Sequence, residues 1–175
     1  MYPINLVRFK EFGLHSYILL PDMLIGTRYI RIGSHVGILN HARIEALCSY
    51  EGKSYSPEIV IGSNCGFGRM LHIEATKKVV IGHDVLFSEN VYISDTAHDY
   101  KVIDKNPAEQ ELKTESVVIG DYCFVGRNAC ILPGVQLGKQ CVVGANAVVT
   151  AGVYPDYSVL VGVPARIIKS IDTRT

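Results

Sequence analysis

The sequence predicts an all-β protein, specifically a parallel β-helix, from two apolar ladders and a column of glycines. In the first ladder nearly every sixth residue is Ile, Val, Leu or Phe. In the second, four residues further along each time, nearly every residue is Val, Ala or Cys. Helices repeat every 3.6 residues and strands every 2, so neither gives a strict period of six. A short strand followed by a turn does, and three such units form a triangular coil of about 18 residues that stacks on its neighbours.

The ladders supply the predicted core. The first comprises Ile32, Ile38, Ile44, Ile61, Phe67, Ile73, Ile81, Phe87, Ile93, Ile119, Val125, Ile131, Leu137, Val143, Val149, Pro155 and Val161. The second comprises Val36, Ala42, Cys48, Cys65, Leu71, Lys77, Val85, Val91, Ala97, Cys123, Ala129, Val135, Cys141, Ala147, Val153, Val159 and Ala165. Four of the five cysteines are therefore predicted to be small core residues. Glycines such as Gly33 and Gly62 directly follow first-ladder residues, where we expect backbone corners.

Interruptions in the ladders predict where loops leave the β-helix. Ile44 and Ile61 are 17 residues apart instead of six, which predicts an insertion near residues 48–58. The step from Ile73 to Ile81 is eight residues, and about 20 extra residues follow Ile93, at 95–116. The last insertion is polar, and long loops on rigid scaffolds often carry function.

These boundaries predict one domain with two flanking segments. Residues 1–30 do not join the ladders cleanly and are expected to form an N-terminal cap and an irregular first coil. Residues 31–165 form the β-helix, and 166–175 a C-terminal tail. The 17 basic and 17 acidic residues cancel, which disfavours nucleic-acid and anionic-membrane partners. Because the N-terminus shows neither a signal-peptide pattern nor a spanning apolar run, we expect a soluble, cytoplasmic protein.

With its ladders, the chain resembles the hexapeptide-repeat acyltransferases, in particular maltose and galactoside acetyltransferases and surface-polysaccharide O-acetyltransferases. The resemblance covers about residues 61–171. Its most specific parts are the segments at 93–98 (ISDTAH), 119–144 and 161–166 (VGVPAR). It implies a left-handed β-helix, acetyl-CoA as the co-substrate, and a homotrimer with active sites between subunits.

The resemblance also implies a catalytic residue. His98 matches the catalytic histidine of the family, which acts as a general base on the acceptor. Asp95 and Asp99 lie near it in sequence, and either could orient the imidazole or be a solvated loop carboxylate. A backbone carbonyl can take the orienting role instead. We assign Asp95 to the substrate-binding residues.

The remaining site residues are transferred position by position from the family. The backbone N–H of Arg127 corresponds to the oxyanion donor, and Ala145 and Thr150 correspond to residues lining the acetyl-CoA cleft. Arg166 and Lys169 are expected near the CoA phosphates, to which cations bind well. Ala151 departs from the family, where a lysine is common, and this places one phosphate contact in doubt.

The acceptor side is predicted from two positions. Phe124 stands where sugar acetyltransferases often carry a tryptophan, so its ring could stack on a pyranose or pack in the core. Gly68 replaces a sugar-binding asparagine of the galactoside enzymes, so galactoside specificity does not transfer. The insertions near 48–58 and 96–116 are expected to shape the acceptor pocket.

The sequence leaves several alternatives to an O-acetyltransferase acting on a sugar or polysaccharide precursor. Within the family these are N-acetylation of a nucleotide-linked amino sugar and, more distantly, acetylation of an antibiotic hydroxyl. Outside it, a non-catalytic β-helix scaffold gives no reason for His98. A γ-class carbonic anhydrase would need zinc histidines in a spacing that the six histidines lack, so we expect no metal. We expect no fused nucleotidyltransferase domain, because these 175 residues leave no length for one.

Overall fold

Three parallel sheets enclose the ladders in the computed structural model, which describes residues 8–171. Residues 1–7 of the predicted cap and 172–175 of the predicted tail lie outside the described residues. Sheet A contains β1 (Glu11–Phe12), β4 (Ile30–Ile32), β9 (Ile59–Ile61), β12 (Val79–Ile81), β17 (Val117–Ile119), β20 (Val135–Leu137) and β23 (Gly152–Tyr154). Sheet B contains β2 (Tyr17–Ile18), β5 (Gly37–Ile38), β10 (Gly66–Phe67), β13 (Leu86–Phe87), β18 (Phe124–Val125), β21 (Val142–Val143), β24 (Ser158–Gly162) and β25 (Ala165–Ser170). Sheet C contains β3 (Met23–Ile25), β6 (Arg43–Ala46), β11 (His72–Ala75), β14 (Tyr92–Ser94), β19 (Cys130–Ile131) and β22 (Val148–Val149).

The chain passes through sheets A, B and C in turn, so each coil adds one strand to each sheet. We name the edges of the resulting prism A–B, B–C and C–A after the sheets that meet there. The ladder residues from Ile32 to Val149 lie inside, apart from Cys48, Lys77 and Ala97, and form one continuous apolar core. Since each coil buries its apolar face against the coils above and below it, the repeat accounts for the fold.

The lengths of the insertions agree with the strand registers. Phe124 pairs with Val142, one uninterrupted coil of 18 residues later. Ile30 pairs with Ile59 and Val79 with Val117, so these coils carry insertions of 11 and 20 residues. Two short antiparallel ribbons occupy the insertions: β7 (Ser49–Tyr50) with β8 (Lys53–Ser54), and β15 (Thr96–His98) with β16 (Leu112–Thr114). Short 3₁₀ turns occupy Thr27–Tyr29 and Pro107–Glu109.

The first coil is more regular than the sequence suggested. Phe12, Ile18 and Leu24 are six residues apart and pair with the ladder residues Ile32, Ile38 and Ile44. The second ladder carries polar residues here, which hid the coil. One of them, Ser16, replaces apolar contact with two hydrogen bonds, to the Gly33 carbonyl at 2.7 Å and from the Val36 N–H at 3.0 Å.

In the last coil, after Val149, the core positions differ from those that the six-residue ladder predicted. Leu137 pairs with Tyr154 and Val143 with Leu160, each 17 residues on, so Pro155 and Val161 are not core residues. The turn before β23 has two residues where the preceding coil has three, and this shifts the register by one. Val153 is consequently 76% exposed and Val159 only partly buried, while Ala165 is buried as expected. The first part of the predicted tail is β25, which pairs antiparallel with β24.

Two further expectations are corrected at the edges. Cys48 and Ala97 lie beyond the wall in the two insertions, so they are not core residues, and Cys65, Cys123 and Cys141 are the buried cysteines. The glycines that follow the first ladder do not have positive φ, apart from Gly162. A Cβ at Gly62 would lie 2.5 Å from the Gly82 carbonyl oxygen, so close stacking of coils requires these glycines. The left-handed corner conformation falls on His35, Asn64, Asp84, Tyr122 and similar residues instead.

Candidate active site

Both large insertions leave the prism at the C–A edge, and they contact each other. The insertion after β6 forms the hairpin β7–β8, and the insertion after β14 forms an arm built on β15–β16. The Tyr50 hydroxyl donates to the Ala108 carbonyl at 3.3 Å, and Lys53 forms an ion pair with Glu111. The hairpin therefore supports the arm from the side of the preceding coils.

His98 lies exposed on this arm, at the end of β15 and opposite Leu112. The Tyr50 ring contacts the imidazole edge-on, with 5.5 Å between the ring centroids. Directly after it, the Asp99 carboxylate accepts hydrogen bonds from the N–H groups of Tyr100 and Lys101 and turns the chain. Neither imidazole nitrogen has a hydrogen-bond partner among residues 8–171, and the side chain is exposed.

Asp95 is not a substrate-binding residue on this geometry. Its side chain is fully buried, and its carboxylate accepts from the N–H groups of Thr76, Lys77 and Lys78 at 2.5–2.8 Å and from the Thr76 hydroxyl at 3.3 Å. It therefore closes the short turn between β11 and β12 and has no free oxygen for an acceptor. It is also neither a solvated carboxylate nor a partner of His98.

Asp99 does not contact His98 either. Its carboxylate accepts the two backbone N–H groups of the arm and lies 3.4 Å from the Lys113 ammonium. Among the described residues, neither of the two expected acidic partners thus orients the imidazole.

Glu74, which sequence reasoning missed, is a carboxylate whose pKa the charge of His98 lowers, although no hydrogen bond or ion pair joins the two side chains within residues 8–171. Glu74 is on β11, in register with Ser94 of β14, and points outward from sheet C. Burial raises the pKa of Glu74, as do the charges of Glu45 and Asp95, while the charge of His98 opposes the rise. The only sequence signal was its place directly after the ladder residue Ile73, on the strand of sheet C one coil before the strand that leads into the arm.

A polar cluster continues from Glu74 across sheet C. The Glu45 carboxylate accepts from the Arg43 guanidinium at 2.8 and 3.0 Å and lies 3.2 Å from His72 Nε2. The His72 ring contacts Tyr92 edge-on, with centroids 5.1 Å apart. Burial lowers the pKa of His72, so the imidazole is mainly neutral near pH 7 although Glu45 opposes this shift.

Arg127 and Ala145 lie one above the other on the B–C edge. Three asparagines stack on the same edge: Asn90, Asn128 (directly after Arg127) and Asn146 (directly after Ala145). Asn90 donates to Asn128, and Asn128 donates to Asn146, each at 3.0 Å. A Cβ at Gly126 would lie 2.6 Å from the Ala145 nitrogen, so glycine allows the two coils to approach here. The Arg127 side chain reaches Glu89, with Nη2 3.6 Å from Oε2.

The N–H groups of this edge form a row of hydrogen-bond donors. Gly126 and Asn128 donate to backbone carbonyls of neighbouring strands. Within residues 8–171, the N–H groups of Glu89, Arg127 and Ala145 have no such acceptor. The donor predicted at Arg127 is thus available, although this property belongs to the edge and not to Arg127 alone.

The other predicted CoA-binding residues lie at the C–A edge and on the last strand of sheet B. Thr150 follows β22 at the C–A edge, where its carbonyl accepts the Tyr154 hydroxyl at 2.8 Å. Arg166 and Lys169 are exposed on β25, the last strand of sheet B. Arg166 pairs with Val161, which packs over Gly144, so Arg166 lies at the B–C edge two strands beyond Ala145, whereas Thr150 lies at another edge.

A groove of about 880 Å³ crosses the outer face of sheet B, and it contains both predicted acceptor positions. Phe124 lines one end with its side chain 40% exposed, so its ring is not a core residue. Gly68 lines the middle, where a Cβ would lie 2.6 Å from the Ser88 carbonyl carbon. This clash explains why an asparagine is not accommodated at position 68.

The groove and His98 lie on opposite sides of the same chain. The groove is on the face of sheet B, whereas the arm leaves the prism at the C–A edge, which faces away from sheet B. The tip of the arm exposes three large apolar side chains, Tyr100, Val102 and Ile103. If both regions belong to one active site, they come from different subunits.

Among residues 8–171, no helix has the length and hydropathy needed to cross a membrane. The same part of the chain holds no group of three or more His, Cys, Asp or Glu side chains arranged to bind a metal ion.

Comparison with known proteins identifies the repeat. Residues 116–151 match the family model described as the hexapeptide repeat of succinyl-transferase. The chain is 36% identical over 124 residues to WbbJ of Escherichia coli (strain K12), a proposed lipopolysaccharide biosynthesis O-acetyl transferase. The alignment covers 67% of this chain and 63% of WbbJ, so the chain spans slightly less than two thirds of that relative.

Solved structures show the same fold. AntD, an N-acyltransferase from Bacillus cereus in complex with dTDP and 3-hydroxybutyryl-CoA, superposes with a TM-score of 0.76 at 19% identity, covering 94% of this chain and 84% of AntD. A maltose O-acetyltransferase from Clostridium difficile 630 gives a TM-score of 0.60 at 22% identity, covering 94% and 71% of the two chains. These likenesses confirm the left-handed β-helix of hexapeptide repeats.

Proposed function

We propose that this hexapeptide-repeat chain, a homologue of the O-acetyltransferases, transfers an acetyl group from acetyl-CoA to a hydroxyl of a sugar or polysaccharide precursor. We infer that it acts in the cytoplasm, where acetyl-CoA is available. The observation that carries the proposal is His98, exposed on an arm that interrupts the repeat and is held by the hairpin. A scaffold would need neither the arm nor its support.

His98 acts as the general base in this proposal. An imidazole nitrogen takes the proton of the acceptor hydroxyl while the hydroxyl oxygen forms a bond to the thioester carbonyl carbon. When the carbon–sulfur bond breaks, His98 returns the proton to the leaving thiolate. The products are an acetyl ester and CoA with a free thiol, and no step requires a metal ion.

The B–C edge stabilises the charge that develops during transfer. The Arg127 N–H donates to the thioester oxygen as it becomes negative, a type of contact worth about 2.7–4 kcal/mol in enzymes where it has been removed. Ala145 presents the next free donor of the row. Thr150, Arg166 and Lys169 complete the CoA site, with the two cations near its phosphates.

We propose a homotrimer in which the arm of one subunit reaches the groove of the next. This arrangement brings His98 to Phe124 and Gly68, which a single chain keeps apart. It also covers the exposed apolar tip of the arm, which a monomer would leave in water. Closed cyclic symmetry then repeats the same active site at each interface.

A hydroxyl acceptor fits better than a nucleotide-linked amino sugar. AntD is an N-acyltransferase with dTDP bound, so the fold accommodates both chemistries. The groove of this chain is lined by no lysine or arginine within the described residues, whereas a diphosphate is bound best by fixed cations. The relative with the highest sequence identity given above is described as an O-acetyl transferase.

The test is thiol release from acetyl-CoA with a panel of neutral sugars, amino sugars and nucleotide-linked amino sugars. We expect release with a neutral sugar and a product that hydroxylamine cleaves, because esters react with hydroxylamine and amides resist it. An amide product formed from amino sugars alone would overturn the assignment to O-acetylation. Acetyl-CoA that does not bind in calorimetry would favour a scaffold.

A further inference from the structure

We propose that the groove on sheet B binds an acceptor glycan of several sugar rings, with Tyr17 as a second stacking platform far from the reacting hydroxyl. This inference rests on the proposed function and specifies its substrate as a neutral oligosaccharide or the end of a polysaccharide. Tyr17, in the first coil, lines the end of the groove opposite Phe124.

The strand registers give the length of the groove. Tyr17 pairs with Gly37, Gly37 with Gly66, Gly66 with Leu86, and Leu86 with Phe124. These five positions form one outward-facing row across β2, β5, β10, β13 and β18. Four strand spacings of about 4.8 Å separate the backbone positions of the two aromatic residues by about 19 Å, and since the Tyr17 ring lies over Gly37, about three spacings, or about 14 Å, remain between the rings. A single pyranose bound at Phe124 therefore cannot reach Tyr17.

Two of the three inner positions of this row, Gly37 and Gly66, lack side chains, while the third, Leu86, is 55% exposed. The two glycines lie between Tyr17 on one side and Leu86 on the other. The Tyr17 ring already leans over Gly37, since a Cβ there would lie 2.7 Å from the Tyr17 hydroxyl oxygen. At Gly66 a Cβ would meet only the end of the Leu86 side chain, at 3.1 Å. The result is a shallow trough between the Tyr17 ring and the Leu86 side chain, with the Phe124 ring beyond Leu86.

The two rings are free to bind a ligand. Tyr17 is 48% exposed and Phe124 40% exposed, so each presents a large part of its side chain to the groove. Aromatic rings bury apolar surface efficiently and, in tyrosine, add a hydroxyl for hydrogen bonding. The C–H faces of sugar rings are the matching apolar surface, while their hydroxyls need polar partners.

The polar groups and charges of the groove fit a neutral glycan. Asn64 and Ser88 offer donors and acceptors, and the rings of His15 and His35 stack 5.0 Å apart beside Tyr17. The carboxylate of Glu89 is paired with Arg127 at the rim. No lysine or arginine lines the groove in the described part of the chain, and Arg127 at the rim is paired with Glu89, so a phosphate would find no unpaired positive charge inside the groove.

Two neutral series of one to four rings, malto-oligosaccharides and N-acetylglucosamine oligomers, test the proposal by saturation-transfer NMR and by thiol release. In at least one series we expect affinity and kcat/KM to rise with length until the groove is filled. Tyr17→Ala should weaken the longest oligomer about tenfold, the value of a stacking contact of about 1.4 kcal/mol, and leave the single sugar unchanged.

Tyr122→Ala is the matched control, because Tyr122 is similarly exposed (53%), is adjacent to sheet B and does not line the groove. It should behave like the wild type at every length. Equal losses in both variants, or no dependence on length, would overturn the proposal. In the proposed trimer the neighbouring arm reaches only the Phe124 end of the groove; an arm that filled the groove as far as Tyr17 would leave no room for an oligomer, and the absence of oligomer binding would overturn the proposal too.

The two readouts separate this proposal from the proposed function. Length-dependent binding that Tyr17→Ala removes, with no thiol release for any acceptor, would support the groove and remove the acetyl transfer. Thiol release that is equal for one and four rings would retain the transfer and remove the second platform.

Discussion

The regular wall of the prism and its C–A edge differ in what holds them. In the wall, from β9 to β22, the coils bury their ladder residues apart from Lys77 and Ala97, and neighbouring coils repeat the same contact. At the edge, the hairpin and the arm rest on a few polar contacts, among them Tyr50 with Ala108 and Lys53 with Glu111. Substitutions in the wall should therefore change stability, and substitutions at the edge should change activity.

The largest effect is expected for His98 at the edge. His98→Ala should lower kcat by about 10²–10⁴, the contribution of a positioned general base, and leave the affinity for CoA unchanged. Steady-state kinetics and calorimetry measure the two quantities. His41→Asn is the control, because His41 is an exposed histidine on another edge with φ +65°, which asparagine tolerates. Unchanged turnover in His98→Ala would remove this residue from the mechanism.

The next effect tests where the edge joins the wall. Asp95→Ala leaves the buried N–H group of Thr76 and the partly buried N–H groups of Lys77 and Lys78 without their acceptor, so it should cost about 3 kcal/mol of unfolding free energy. Chemical denaturation measures this change. A loss of activity without a loss of stability would instead restore a role for Asp95 in substrate binding.

Glu74 should give a smaller, pH-dependent effect. Because burial and neighbouring carboxylates raise its pKa in the folded state, ionisation of Glu74 favours unfolding. The stability that the group contributes is fully present below the pKa of the unfolded chain, about 4.5, and is lost as the pH rises through the folded pKa. Glu74→Gln should therefore match the wild type near pH 4 and melt at a higher temperature at pH 8.

Thermal melts at several pH values measure this difference, and Glu109→Gln, at an exposed position in the arm, provides a control that should follow the wild type. A Glu74→Gln variant that melts below the wild type at pH 8 would contradict the assigned cause of the shift. A change in the pH profile of kcat in the same variant would show that Glu74 also acts through His98.

The smallest effect is expected for the ion pair between the insertions. Lys53 and Glu111 are both largely exposed, and such pairs contribute about 0–1 kcal/mol. Lys53→Ala should therefore change the melting temperature by little, and its effect should shrink further in high salt. A large loss of stability would mean that the hairpin and the arm form part of the core.

The sequence predicted the wall well because the same kind of apolar residue recurs at each inward-facing position of the repeat. The registers of Ile30 with Ile59 and Val79 with Val117 reproduce the expected insertion lengths. The prediction was wrong where a polar residue stood at a ladder position or where a turn differed in length from the repeat. Ser16 satisfies itself by hydrogen bonds in the first coil, and a turn shorter by one residue moves Leu160 into the place predicted for Val161.

The edge was less predictable because its contacts join distant parts of the chain. His98 could be placed on a protruding segment from the interruption of the ladder. The burial of Asp95 depends on three N–H groups 17 to 19 residues earlier that converge only in the folded coil. The position of Glu74 near His98 likewise depends on the pairing of β11 with β14.

The most direct test of the account is whether two inactive variants restore activity when mixed. His98→Ala removes the base, and Gly66→Trp fills the groove at a position where φ is not positive and only the Leu86 side chain lies near. If the arm of one subunit reaches the groove of another, some interfaces in mixed trimers combine an intact histidine with an intact groove. When the two variants are mixed in equal amounts, roughly one quarter of the interfaces are of this kind.

The account predicts that unfolding and refolding the two variants together recovers about this fraction of wild-type turnover, while each variant refolded alone stays inactive. Both variants must first form folded oligomers of wild-type size. Mixed oligomers with no recovered activity would contradict a site shared between the C–A edge and sheet B of neighbouring subunits.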